Sequence, residues 1–354
     1  MKEKIESISL WLKEQIVPVA NDIDRDQNAL KTALQAMGDR SLLALKVPPE
    51  LGGSGFSELD YRLLQVELAR ASGALTFLQT QHQSAARMLA KSKNQSFQQL
   101  LPKMARGKLS IGVGFSHLRR GGIPMVAATQ TATGYSITGK VPWITGYDFF
   151  DRFILGATLS DGRELYGILP FKNQSQLGGN ITFSKPMELM AIAATNTVSA
   201  KITQWHLNPE DVVTIKPPGS IHHSSRANIL HHGWYALGCA YAGLDILLFL
   251  AQKKQLSFIQ ESWQSLHREA TQKKARAIAL ASKNTPYESR LKLRVQLIDL
   301  ARRCSMAAVI ASSGGANYLN SNAARVYREA LLFSVSGQTT DVMEKSLRQL
   351  THNP

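Results

Sequence analysis

The sequence predicts an α+β chain of three parts: an N-terminal helical domain, a central β-barrel-like domain and a C-terminal four-helix bundle. Three observations predict it. Helix-period apolar spacing runs through residues 1–108. Strand-rich texture with Val, Ile, Thr and Gly fills residues 109–215. Helical periodicity then returns over residues 216–354.

Each element follows from local pattern. Ile5, Ile8, Leu10, Leu12 and Ile16 lie on helical spacing over 3–20, and Pro18 ends or kinks that helix. A second helix is read over 28–38 from Leu30, Leu34 and Met37. Val47-Pro48-Pro49-Glu50-Leu51-Gly52-Gly53 is a loop by its Pro and Gly content. Helices follow over 57–72 and 75–93. Strands are read at Leu109–Phe115, Met125–Gly139, Phe153–Leu159 and Glu164–Pro170. The last two flank Asp161-Gly162, a hairpin signal. Further strands are read at Ile181–Phe183 and Val198–Trp205. Four long helices close the chain, at Ala227–Lys253, Glu261–Ser282, Tyr287–Ser312 and Asn322–Leu332.

Composition narrows the function classes. A 354-residue chain with 44% hydrophobic and 19% charged residues is neither disordered nor a coiled-coil rod. Cys239 and Cys304 form no CxxC pair, which excludes a disulfide scaffold and a cysteine-ligated metal or iron–sulfur centre, and fits a reducing, cytoplasmic setting. Met1-Lys2-Glu3-Lys4 runs into mixed charge, so no signal peptide is expected. The apolar run Trp234–Ala251 approaches membrane-span length, but Asp245 in it points to a buried core helix. The net charge is +15, and its excess lies in the last third, where 16 basic residues meet 7 acidic ones. That excess suits a phosphorylated cofactor, an acidic carrier protein, nucleic acid (the weakest reading) or a solvated helical face.

Phosphate-loop signatures are missing. Gly112-Val113-Gly114-Phe115-Ser116-His117 lacks the third glycine of a dinucleotide fingerprint and sits in β texture. The doublets His222-His223 and His231-His232 have no carboxylate between them and no HExxH spacing, so no metal is expected.

In order and spacing, the motifs resemble the acyl-CoA dehydrogenase family. The match runs from Ile16-Val17-Pro18-Val19-Ala20 and Asp24-Arg25 through Leu51-Gly52-Gly53 and Glu67-Leu68-Ala69-Arg70. It continues through Gly139-Lys140, Trp143-Ile144-Thr145 and Arg328-Glu329-Ala330. The resemblance implies FAD between the β-domain and the C-terminal helices, with help from a second subunit of a homodimer or homotetramer. It implies flavin contacts from Phe115, Ser116, Trp143, Ile144 and Thr145, and further cofactor contacts from Lys253, Gln264, Gly314, Gly315, Thr339 and Asp341. The substrate implied is an acyl thioester of CoA or a carrier protein.

One position departs from the family. Its catalytic glutamate falls on Gly337, which has no side chain to accept a proton. The alternative position used by some members falls near Asn228. The catalytic residues are therefore open, with His117 weighed as a base against a role as a surface loop residue. Three functions compete: an oxidoreductase of the CH–CH group of an acyl thioester, a flavin-dependent monooxygenase on the same scaffold, and a non-catalytic flavin- or acyl-binding protein.

Overall fold

The computed structural model describes residues 2–176, 178–281 and 285–352. The N-terminal helices are α1 (Lys2–Trp11), α2 (Ala20–Arg25), α3 (Gln27–Asp39), α4 (Glu58–Ala71), α5 (Gly73–Ala90), α6 (Gln95–Gln98) and α7 (Leu101–Ala105). The single helix expected over 3–20 is divided. A π-turn at Leu12–Ile16 and a 3-10 turn at Val17–Val19 separate α1 from α2. Pro18 has no N–H to give, so the chain changes hydrogen-bond period there. Asp26, Ser57 and Ser72 cap α3, α4 and α5 by accepting from Ala29, Asp60 and Leu75 N–H.

The sheet is built from β1 (Ile111–Gly114), β2 (Val126–Thr131), β3 (Gly134–Ile144), β4 (Arg152–Leu159), β5 (Glu164–Pro170), β6 (Gln174–Gln176), β7 (Gly179–Phe183), β8 (Val198–Leu207) and β9 (Val212–Lys216). Its order is β6-β7-β8-β3-β2-β4-β5-β9, with β1 paired to β4. Pairings are antiparallel except β1 with β4 and β2 with β4, which are parallel. Gly167 of β5 lies under Leu207 of β8, so the sheet curls over its own core. Phe153, Leu165, Ile181, Ile202 and Trp205 share that core with Leu64, Leu75 and Leu78 of α4 and α5.

The C-terminal helices are α8 (Ser220–Ala227), α9 (His231–Lys254), α10 (Ser257–Ala279), α11 (Tyr287–Ser312), α12 (Asn322–Val335) and α13 (Thr340–His352). The expected helix end at Ser282 lies outside the described residues. The apolar helix α9 is the bundle's core: α4, α10, α11 and α12 pack on it, and Asp245 forms a bidentate pair with Arg70 of α4 at 2.6 Å.

Two buried carboxylates lock the three parts together. Asp24 of α2 accepts from Ile192 N–H, in the loop between β7 and β8, and from Arg328 of α12, each at 2.8 Å. Glu329 accepts from Gly73 N–H at 2.9 Å and from Arg325 at 2.7 Å. Gly73 leaves room for this: a Cβ there would lie 2.7 Å from Glu329 carbons. His82 links α5, α7 and β1. Its Nε2–H donates to Met104 O at 3.1 Å, and Nδ1 accepts from Ile111 N–H at 3.0 Å. Both bonds need neutral imidazole, and burial lowers its pKa to about 4.

Two predictions follow from these contacts. Asp24→Asn leaves the Arg328 guanidinium without its counter-charge and costs about 3 kcal/mol of stability, read from urea unfolding. A loss below about 1 kcal/mol would contradict the bridging role. Because His82 is depressed in the folded state, only the unfolded chain takes its proton between the ordinary histidine value and about 4. Stability therefore falls as pH drops through that window, and His117, also lowered to about 4, acts in the same direction. Replacing His82 by Asn removes up to about 1.4 kcal/mol per pH unit of this slope. An unchanged slope would mean that His82 titrates freely in the folded protein.

Candidate active site

Two adjoining cavities lie where the sheet meets the C-terminal helices. The outer one, about 800 Å³, is bounded by the 3-10 turn Ser116–Arg119, Pro142 of β3, α8, Tyr287 and the segment 335–343. The inner one, about 500 Å³, lies between the end of α5, Phe115, Tyr166, β9, α8 and the start of α9. Arg119, Ser225 and Gly337 line both. A separate groove of about 770 Å³ runs along β3, β7 and β8 and holds none of the candidate residues.

The structure brings some of the expected residues together. Ser116, Thr339 and Asp341 line the outer cavity around Gly337. Asp341 accepts from Tyr287 O–H, whose pKa rises to about 12 through burial and this carboxylate. Arg226 stacks on the Tyr287 ring with its guanidinium 3.8 Å from the centroid. Phe115 backs the inner cavity and meets Tyr166 edge-on at 5.5 Å. At the end of β3, Trp143 is half-exposed, Ile144 is buried in the sheet core, and buried Thr145 shares a 2.9 Å hydrogen bond with Thr197. This alternation comes from the pleat, which turns Trp143 outward and Ile144 inward.

Lys253, Gln264, Gly314 and Gly315 are not brought to these cavities. All four are exposed on the bundle. Lys253 stands near the C-terminal end of α9, roughly 30 Å along the helix from His232 at 1.5 Å per residue. Its neighbour Lys254 caps the end of α11 by donating to Ala311 O at 2.6 Å. A Cβ at Gly314 or Gly315 would meet nothing, so these glycines face open space in the single chain.

His117 corrects the surface-loop reading. It is 3% exposed, and its Nε2–H donates to Gly156 O at 2.9 Å. Its Nδ1 is buried without a partner at the edge of the outer cavity. Burial holds the ring neutral.

Gly337 has a positive φ of +58°, and the His232 ring fills the space a side chain would take. A Cβ there would stand 2.3 Å from His232 Nε2. Nδ1 of His232 lies 3.1 Å from Ser336 Oγ. Arg294, fully buried on α11, fixes the loop: it donates to Ser336 O and Gly337 O at 2.9 Å and to Ile229 O at 3.0 Å. Burial draws its pKa down to about 10. Burial, then Arg294, Arg119 and Arg62, push the His232 pKa well below the ordinary histidine value. His231, beside Arg62, is lowered in the same way. Among the described residues no three His, Cys, Asp or Glu side chains converge as metal ligands.

Sequence reasoning missed Arg119, Arg294 and His232 as parts of this site. The Arg119-Arg120 doublet beside Ser116 was a signal for the first. Nothing local marks Arg294, since a buried arginine in a helix reads as a solvated one until the packing is known.

Gly337→Ala is expected to cost about 2 kcal/mol, from the left-handed backbone and the contact with His232. His232→Ala in the same chain should recover about 1 kcal/mol of it, measured as a double-mutant cycle in urea. Strict additivity would place the ring elsewhere.

Comparison with known proteins agrees with this architecture. The family profile "Acyl-CoA dehydrogenase, N-terminal domain" matches residues 2–108. A 3-(aryl)acrylate reductase of Clostridium sporogenes (strain ATCC 15579) is 23% identical over 255 residues, covering 70% of this chain and 67% of that protein. The probable acyl-CoA dehydrogenase YngJ of Bacillus subtilis (strain 168) is 21% identical over 361 residues, 95% of this chain and 94% of that protein. The acyl-CoA dehydrogenase of Geobacillus kaustophilus superposes with a TM-score of 0.81 at 14% identity, covering 99% of this chain and 97% of that one. A glutaryl-coenzyme A dehydrogenase in complex with glutaryl-CoA gives 0.82 at 16% identity, covering 99% and 95%. With the helical, sheet and helical parts in this order, residues 2–108 match the acyl-CoA dehydrogenase N-terminal domain and the whole chain has the fold of the acyl-CoA dehydrogenases.

Proposed function

We propose that this chain is an FAD-dependent oxidoreductase acting on the carbon–carbon bond beside an acyl carbonyl, with an acyl thioester of CoA or a carrier protein as substrate class. One observation carries the reading. Ser116, Gly337, Thr339 and Asp341, from segments more than 200 positions apart, converge with Pro142 of β3 on one cavity, one residue before Trp143 in that strand.

The residues present fit the cofactor. Trp143 offers a half-exposed aromatic face for a flat ring. The Thr145–Thr197 hydroxyl pair keeps one hydrogen free after serving itself. The unpartnered Nδ1 of His117 is an acceptor for a ligand N–H. Arg119, Arg120 and Arg226 line the outer cavity and suit an anionic group. When bound, FAD supplies a two-electron acceptor or donor beside the substrate.

The chain's own residues then divide the work. Arg294 fixes the 336–337 backbone, and α8 and the 3-10 turn wall the cavity. The group standing where the family's carboxylate would be is the His232 imidazole, and it is the atypical proton carrier in this reading. A neutral ring accepts a proton at Nε2 or, once charged, returns it, so addition and removal of hydrogen both remain open to it. Lys253, Gln264, Gly314 and Gly315 are assigned to a cofactor reached from a second copy in a homodimer or homotetramer. Exposed Phe249, Phe258, Ile310, Tyr318 and Leu319 on the same helices and the loop after α11 support that assembly.

A monooxygenase on this scaffold is the second reading, favoured by the missing side chain at Gly337, because oxygen activation needs no α-proton acceptor.

The visible spectrum of the purified protein tests the cofactor. A resolved flavin band is expected, and Trp143→Ala with Thr145→Ala should weaken flavin retention about tenfold, or 1.4 kcal/mol. Unchanged retention would remove both residues from the site. Anaerobic bleaching by a short acyl thioester supports the first reading. Bleaching only by an external reductant, followed by oxygen consumption, supports the second.

A further inference from the structure

The inner cavity is built for the wrong ligand if only an acyl chain enters it. Arg87, Arg119, Lys216 and Arg294 line it, together with His231 and His232, and among the described residues no carboxylate does. A methylene chain gains from burial against apolar walls, and it gains little against these. Charges brought out of water are costly without a counter-charge. Arg119 illustrates the imbalance: it is partly buried, its Nε donates to Ser225 Oγ at 2.9 Å, and burial lowers its pKa. Arg294 spends its terminal nitrogens on three carbonyl oxygens, and its buried Nε has no partner. Neither arginine is paired with an acid.

The acids nearby are already committed. Glu58 pairs with Lys46 at 2.9 Å and with Arg62 at 2.6 Å. Glu164 stands behind the wall, accepting from Tyr166 O–H at 2.7 Å and from Ile221 N–H at 3.0 Å, and from its place opposite Lys216 in the β5–β9 pair it offsets one positive charge of the several. The cavity thus keeps an excess of positive charge beside the His232 ring, where the chemistry is assigned.

We propose that the inner cavity binds a carboxylate, and that the substrate presents a free carboxylate there, held by Arg119 with Lys216 and Arg87 completing the positive field. This deepens the oxidoreductase reading and rests on it for the word substrate. The binding itself does not depend on it. A guanidinium fork matches a carboxylate in two parallel hydrogen bonds, which a phosphate also satisfies, so the two sources need separate probes.

The test is a ligand-observed NMR titration of the purified full-length protein with crotonate, a four-carbon unsaturated acid. Crotonamide is its neutral isostere and inorganic phosphate the phosphoryl probe. Crotonate is expected to bind saturably and at least about tenfold more tightly than crotonamide, equal to 1.4 kcal/mol. Arg119→Met should weaken crotonate about tenfold or more and leave crotonamide unmoved. Lys216→Met gives a smaller loss in the same direction and serves where Arg119→Met does not fold. Three results would overturn the proposal: crotonamide binding as well as crotonate, no binding of crotonate, or phosphate binding in its place. Flavin content is read on the same sample. A colourless protein that still selects crotonate sinks the oxidoreductase reading alone, and a yellow protein indifferent to crotonate sinks this one alone.

Discussion

The carboxylate of Asp24 is the constraint on which the relative placement of the three parts depends. It is buried, it belongs to a helix of only six residues, and its two oxygens bind one group from the sheet and one from the bundle. A short helix has little packing surface of its own, so polar bonds set its position. Neighbouring groups reinforce the joint: Asn21 donates to Asn320 O at 2.7 Å, and Glu329, one residue after Arg328, holds the start of α5. The cavities lie between parts that this joint keeps in register.

The same logic explains the loop at Gly337. A side chain is strained there because the His232 ring fills the space, and the ring stands there because α9 begins against α11 and Arg294 ties the loop down. A glutamate at 337 would neutralise part of the field from Arg294 and Arg119. With glycine there, the His232 imidazole beside them stays neutral and the field is left for a ligand to balance.

Much of the fold was legible in the sequence because its signals are local. Alternation and the Asp161-Gly162 turn gave β4 and β5 to within a residue, and helix periodicity gave α11 from Tyr287 to Ser312. Short strands such as β6 and β9 have too few residues to show alternation. The division of the first helix depends on how a proline is accommodated, which composition does not specify. At the site, Ser116, Thr339 and Asp341 line one cavity. Burial of His117 and of Arg294 was not legible, because it is decided by what packs over them from elsewhere in the chain. Asp24-Arg25 and Arg328-Glu329-Ala330 were visible as motifs, yet their contacts are structural: they join domains and line neither cavity.

Helix α9 sets the last constraint. His231 and His232 at its first turn line the inner cavity, and Lys253 at its last turn lies on an exposed, partly apolar end of the bundle. A straight helix of 24 residues is about 36 Å long, so no relaxation of one chain brings these ends to a common ligand. Thr339 and Asp341 stand at the His232 end, whereas Gly314 and Gly315 follow α11 at the other. If all are cofactor contacts, they serve two different cofactor molecules, or two ends of one held between chains. In the proposed assembly a second copy of the chain covers the exposed glycines and the open space before them.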